Sequence, residues 1–297
     1  MRISEEVKEG LYQGNPVVAL ESTIIAQGLP YPENIRVAIE LEQLIRDNGG
    51  IPATIGIIKG EIIIGMNKNE IEYIATAPSV MKLSTREIPL CVASGLDGAT
   101  TVSATSYIAE KAHINVFATG GIGGVHRDVI STFDISRDLE ELSERDIIIV
   151  SSGAKSILDI PKTVEFLETK GVLVVGFQCN EFPSFYSRKS GVRIPSVNSY
   201  EEVSRIFKAK KELSIKGAIL VANPVPEEEE IPYETMEKWI NEALELAKEN
   251  GVSGKNVTPF LLSKIFELSE GKALSTNIAL VKNNARIATL IAKEILS

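Results

Sequence analysis

"RDIIIVSSGAKSILDIPKT", residues 145–163, decides the fold class. Ile147 to Val150 is an unbroken β-branched run, the pattern of a strand covered on both faces. Ser151, Ser152, Gly153 and Ala154 follow, all small, so another molecule can approach this backbone closely. Asp159 predicts a helix N-cap, and Pro161 suits the first turn ahead of "KTVEFLETKG". Strand, small-residue turn and helix in that order make a βα unit. Lys155 falls just past the carboxyl end of its strand, where open α/β sheets bind ligands. A lysine there serves as a solvated loop residue, as a phosphate contact, or as a desolvated amine that attacks a carbonyl or sugar carbon.

The same alternation extends in both directions. "NPVVALEST" predicts a strand, and "PENIRVAIELEQLIRDNGG" an amphipathic helix closed by glycines. "IPATIGIIKGEIIIGMN" predicts a hairpin turning at Lys59-Gly60, followed by a short helix in "NKNEIEYIATA". "PLCVASG", "INVFATG", "GVLVVGFQ" and "GAILVANPV" are strand-like, and helices are expected in "TVSATSYIAEKAH" and "EEVSRIFKAKKEL". After the acidic "PEEEEIP" come a long helix from Tyr233 and two more joined near Gly271. Many βα units plus one hairpin predict a three-layer α/β/α sandwich with a central mixed, largely parallel sheet. No Gly/Ser or Pro-rich linker and no repeat divides residues 1–297, so a single catalytic domain is expected.

Of the 297 residues 44% are hydrophobic, enough for a sizeable core, and the net charge is −9. That charge argues against broad nucleic-acid or anionic-membrane binding and leaves room for a small anionic substrate in a local basic pocket. Cys91 and Cys179 sit in or beside apolar runs with no CxxC or Cys/His cluster, so two reduced thiols and a cytoplasmic location are expected, without a zinc site. The charged N-terminus lacks an apolar secretory core, and runs such as "GVLVVGF" are too short to span a bilayer.

Several segments carry groups suited to chemistry. "FATGGIGGVHRD", residues 117–128, has four glycines but matches neither GxGxxG nor the P-loop pattern. Its exposed amides would cradle an anion, with His126 and Arg127 as added donors; the bland alternative is a glycine turn beside a surface histidine. In "STFDISRDLEELSERD", residues 131–146, Asp134 and Asp138 stand four apart around Ser136 and Arg137. Carboxylates, hydroxyls and water suit Mg²⁺ or Mn²⁺, although helical surface carboxylates are common. Glu21 ends an apolar strand. Desolvation there raises a carboxyl pKa and fits an acid, unless a lysine pairs with it. "SVMKLSTREIP" offers Lys82 as a phosphate ligand or a salt-bridge partner, and Gly98 to Val102 predicts a loop entering an anion-friendly helix N-terminus.

Taken together, "ALESTIIAQGLPYPEN", "MKLSTRE", "ASGLDGATTVSAT", "VFATGGIGGVHR", "FDISRDL", "SSGAKSILD" and "STNIALVKNNARIA" resemble the pseudouridine-5′-phosphate glycosidase, or indigoidine synthase A-like, family. The resemblance runs from residue 19 to residue 288. It implies reversible conversion of pseudouridine 5′-phosphate and water to uracil and ribose 5-phosphate, Mn²⁺ dependence and a homotrimer. By the same resemblance Glu21 is the proton donor, Lys155 the covalent nucleophile and Asp134 the metal ligand. Lys82, Val102, Ser136, Arg137 and Asp138 then contact substrate, with His126 and Asn277 as further pocket positions. The alternative carried beside it is another Schiff-base lyase or aldolase acting on a sugar phosphate.

Overall fold

The computed structural model describes residues 1–252 and 257–297. The strands are β1 (Arg2–Ile3), β2 (Val17–Leu20), β3 (Ile51–Ile58), β4 (Glu61–Ile64), β5 (Met81–Leu83), β6 (Gly98–Thr100), β7 (Val116–Ala118), β8 (Ile148–Ser151), β9 (Leu173–Phe177), β10 (Ser196–Val197) and β11 (Ile219–Ala222). Among the described residues they form one sheet ordered β1-β4-β3-β2-β7-β8-β11-β9-β10, with β6 beside β3 and β5 beside β6. Only the β3–β4 and β3–β6 pairings are antiparallel, so the sheet is mixed and largely parallel, as expected.

β8, the strand of the opening stretch, is buried along its length between β7 and β11 and parallel to both. Its Ile-Ile-Val core suits a strand with side chains packed above and below. The helices are α1 (Glu5–Gln13), α2 (Glu33–Asp47), α3 (Lys68–Thr76), α4 (Ile88–Ala93), α5 (Val102–Lys111), α6 (Val129–Thr132), α7 (Arg137–Glu144), α8 (Ile160–Thr169), α9 (Tyr200–Glu212), α10 (Tyr233–Glu249), α11 (Val257–Leu268) and α12 (Lys272–Leu296). One face of the sheet is covered by α12, with α2 and α9 packed beside it; α5, α7 and α8 cover the other. Asp159 caps α8 by accepting the Lys162 amide at 3.1 Å, as its sequence predicts. The β3–β4 hairpin turns on Lys59 and Gly60, both left-handed at φ 50° and 77°.

Two expectations are corrected. "PLCVASG" is not a strand: Ile88–Ala93 is α4, with Pro89 in its first turn. Ile88 and Cys91, three apart, are buried while Leu90 and Val92 are exposed, which is helical spacing. The strand falls later, at Gly98–Thr100, inside the segment expected to be a loop; α5 then starts at Val102. Asp134 and Asp138 do not share a helix. Ser136 caps α7, so Asp134 lies in the loop before it.

Candidate active site

Glu21 and Lys155 both lie just past the carboxyl ends of parallel strands, β2 and β8. Glu21 follows β2 directly, ahead of a π-helical turn at Ile24–Gly28. Such turns are rare and concentrate at functional sites. The hydroxyls of Thr23 and Thr119 both donate to the Glu21 carboxylate. Behind it lies a cavity of about 10 Å³, room for one water, walled by Leu20, Ile24, Leu41, Ala118 and Val281 among others. Burial raises the Glu21 pKa above 4.5, against the pull of Lys155 and of the two hydroxyls.

Lys155 is half-buried, and its backbone is fastened to the glycine loop. Its amide donates to Ile122 O at 3.1 Å, and the Ile122 amide donates to Gly153 O at 3.0 Å. Gly153 has φ 75°, and a Cβ there would collide with the carbonyl oxygen of Pro183. Only glycine fits this turn. Lys82, on β5, is open to solvent at its surface, yet its pKa is lowered. Burial of its ammonium end is the first cause and the charge of Lys155 the second, opposed by Asp138, Glu21 and Asp134. Solvent contact weakens that shift but not its direction. Lys155, Glu21, Asp134 and Asp138 thus all lie within electrostatic reach of Lys82.

Four amides of the glycine loop are spent inside the protein. The Ile122 amide is taken by Gly153 O, that of Gly123 by Asp138 Oδ2 at 2.8 Å, that of Val125 by Thr163 Oγ1 at 3.0 Å and that of His126 by Asp134 O at 3.1 Å. The glycines also allow close packing: a Cβ on Gly121 would stand 2.5 Å from Phe185 Cδ2. Arg127 is also committed elsewhere, to Glu237 at 2.6 Å and to Ser156 O at 2.9 Å.

Asp138 is buried, and its second oxygen accepts the Ser103 amide at 2.9 Å. It therefore locks the glycine loop to the N-terminus of α5, where Val102 is the first helical residue. Ser136 Oγ accepts the Asp138 amide at 3.2 Å. Arg137 folds back along α7 onto the buried Glu141, 2.7 Å away. Asn277 lies on α12, one turn before Val281 of the Glu21 cavity.

The family model for indigoidine synthase A-like proteins matches residues 6–294. The chain belongs to that family. A pseudouridine-5′-phosphate glycosidase of Caldanaerobacter subterraneus subsp. tengcongensis is 52% identical over 294 residues, covering 99% of this chain and 96% of the relative. One from Deinococcus radiodurans is 51% identical over 293 residues, covering 98% and 94%. The crystal structure of an indigoidine synthase A-like protein from Thermotoga maritima superposes with a TM-score of 0.90 at 43% identity, over 96% of this chain and 94% of that one. The prealnumycin C-glycosynthase AlnA, solved with ribulose 5-phosphate, gives 0.93 at 34% identity, over 99% and 96%.

The family resemblance implies a metal ion, and the donors can be tested for it. Among the described residues no group of three or more His, Cys, Asp or Glu side chains is placed to cage one. Asp134 is half-exposed, and its nearest charged partner is His126 Nε2 at 3.7 Å, beyond hydrogen-bond range. A free carboxylate opening to water fits a hydrated Mn²⁺ or Mg²⁺ ion that keeps most of its own shell. Asp138 already accepts an amide on each of its oxygens.

Two residues of this family site are missed by motif reading. Thr119 ends β7's run and donates to Glu21. Asn284, on α12, is fully buried among Leu280, Val281, Ile287 and Ala288. An asparagine on an otherwise apolar helix stripe is the signal that finds it, because a buried amide needs partners.

Proposed function

We propose that the protein is a pseudouridine-5′-phosphate glycosidase, cleaving the bond between ribose C1′ and uracil C5 reversibly to give uracil and ribose 5-phosphate. The observation that carries this is the gathering of Lys155, Lys82, Glu21 and Asp138 at one end of the sheet. It occurs in a chain 52% identical to a glycosidase of that name.

The carbon leaving group has no lone pair to protonate, so simple oxocarbenium departure is poor. Lys155 supplies another route, by forming a bond from Nζ to C1′ as the C1′–O4′ bond breaks. Glu21 donates the proton that O4′ takes up. The C1′–C5 bond then breaks, its electron pair goes to uracil C5 with a proton, and the Lys155 nitrogen lone pair forms an imine with C1′. Water hydrolyses the imine and frees ribose 5-phosphate. Lysine suits both steps, whereas arginine stays charged. Lys82, Arg137 and His126, with the Val102 end of α5, hold the phosphate and orient the sugar; Ser136 and Asp138 fix the loops around it. Asn277 is a further pocket position. A Mn²⁺ ion on Asp134, with Mg²⁺ as substitute, would supply Lewis-acid charge beside the anionic substrate.

Written in reverse, the reaction expels water from ribose 5-phosphate and uracil, which makes it a carbon–oxygen hydro-lyase. The family resemblance supports a homotrimer, which would cover exposed apolar side chains such as Ile130 and Phe133. The free Cys91 and Cys179 support a cytoplasmic setting. A different Schiff-base enzyme on a sugar phosphate is the second reading, favoured by the likeness to AlnA, whose structure holds ribulose 5-phosphate. Uracil released from pseudouridine 5′-phosphate separates the two. Borohydride reduction with ribose 5-phosphate is expected to add one sugar phosphate at Lys155 by mass spectrometry. Lys155→Ala should neither trap nor turn over. A variant that still traps removes Lys155 from the role.

A further inference from the structure

Asn284 reaches the supports of both reacting groups without touching either. Its Nδ2 donates to Thr119 O at 2.8 Å, Gly120 O at 3.3 Å and Ser152 Oγ at 3.1 Å, while its Oδ1 accepts from Asn223 Nδ2 at 2.8 Å. The orientation follows from chemistry, since Thr119 and Gly120 present only carbonyl oxygens to it. The amide therefore binds together the chain just beyond β7, β8 and β11.

Two short paths lead outward. Thr119 passes from that backbone anchor to its own hydroxyl, which donates to Glu21. Ser152, whose amide also donates to Gly120 O at 2.8 Å, opens the turn whose Gly153 O holds Ile122, and Ile122 O holds the Lys155 amide. We propose that Asn284 is the positioning residue that sets where Glu21 and Lys155 stand relative to each other. The proposal rests on Glu21 being the acid and Lys155 the nucleophile. Only a neutral amide does this. Aspartate would set a carboxylate against two carbonyl oxygens, and leucine would leave Thr119 O without this donor.

A mere staple of three strands would affect stability and leave the chemistry of the folded enzyme intact. The test is Asn284→Ala in the full-length enzyme, with folding checked by circular dichroism and melting. Uracil release and the rate of borohydride-trapped adduct with ribose 5-phosphate are then measured per folded site. Because small misplacements of reacting atoms are costly, kcat and the trapping rate should fall about tenfold or more together, with KM about unchanged. A folded variant with the parent's kcat, or with only KM raised, overturns the proposal. Should Asn284→Ala not fold, Asn223→Ala decides by the same criteria, because it keeps the donors but frees the amide to turn. A parent enzyme that traps no ribose 5-phosphate overturns the functional assignment and this proposal together; a trapping parent with an unaffected variant overturns this proposal alone.

Discussion

Thr119→Val removes one hydroxyl from Glu21 while keeping side-chain size in a position 1% exposed. As proton donor, Glu21 works in its acid form, so turnover falls as pH rises through its pKa. Burial already holds that pKa above 4.5, and the Thr119 hydroxyl is one of the influences pulling it down. Taking the hydroxyl away leaves the carboxylate less well solvated, which favours the protonated form further. The displacement is therefore upward. A hydrogen bond to a charged group is worth about 1.5–3 kcal/mol, and about 1.4 kcal/mol corresponds to one pKa unit. Thr23 still donates and the site is partly open, which places the shift at the small end, about one unit. Lys155, Lys82 and Asp138, the charged groups that act on Glu21, are unchanged by the substitution. The assay is the pH profile of kcat for uracil release from pseudouridine 5′-phosphate. The falling limb should move to higher pH by about one unit with the folded fraction unchanged. A limb that stays in place, or moves to lower pH, refutes the assignment of Glu21 as the group that sets it.

Gly153→Ala combines φ 75° with a collision at Pro183 O, whereas Gly171→Ala has φ 73° and open space around it. Denaturant unfolding should show a loss of about 1 kcal/mol for Gly171→Ala and at least about 2 kcal/mol for Gly153→Ala, and equal losses would dismiss the steric account of the Lys155 turn. EDTA should abolish uracil release and Mn²⁺ restore it, with Asp134→Ala needing more Mn²⁺ than the parent; full activity in EDTA removes Asp134 from the metal role.

The layer order was legible because burial writes itself into composition. β8 and β9 are runs of Ile, Val and Leu too short to be helices, and α2 and α9 repeat their apolar positions at helical spacing. Residues 88–93 misled for the same reason: six mostly apolar residues fit either period, and Pro89, which favours a first helical turn, was the discriminating sign. β1, β5 and β10 are two or three residues long and gain their ladder only from neighbours brought by the rest of the fold, so no local pattern marks them. The π-helical turn after Glu21 likewise depends on packing, since Ile25 is drawn fully into the small core cluster with Ile71 and Ile74.

At the site, the sequence marked candidate residues for chemistry without marking where their hydrogen bonds go. Asp138 and Arg127 show why. Each is a charged residue beside a glycine loop, and each is equally available to a ligand on local grounds. The fold spends Asp138 on the amides of Ser103 and Gly123, and Arg127 on Glu237, whose partners lie 35, 15 and 110 positions away. A charged group at a buried position must be paired, so its partner is settled by topology and not by neighbours in sequence. Lys155 and Glu21 differ in the consequence. Among the described residues Glu21 meets only hydroxyl donors directly, and the strongest pull against its burial is the charge of Lys155. Two ionisable groups that act on each other's charge, with no ion pair between them among the described residues, suit the proton and bond transfer proposed for them. It is this difference in commitment, to which a residue as remote as Asn284 would contribute through Thr119, that separates the proposed reacting pair from the charged residues that frame it.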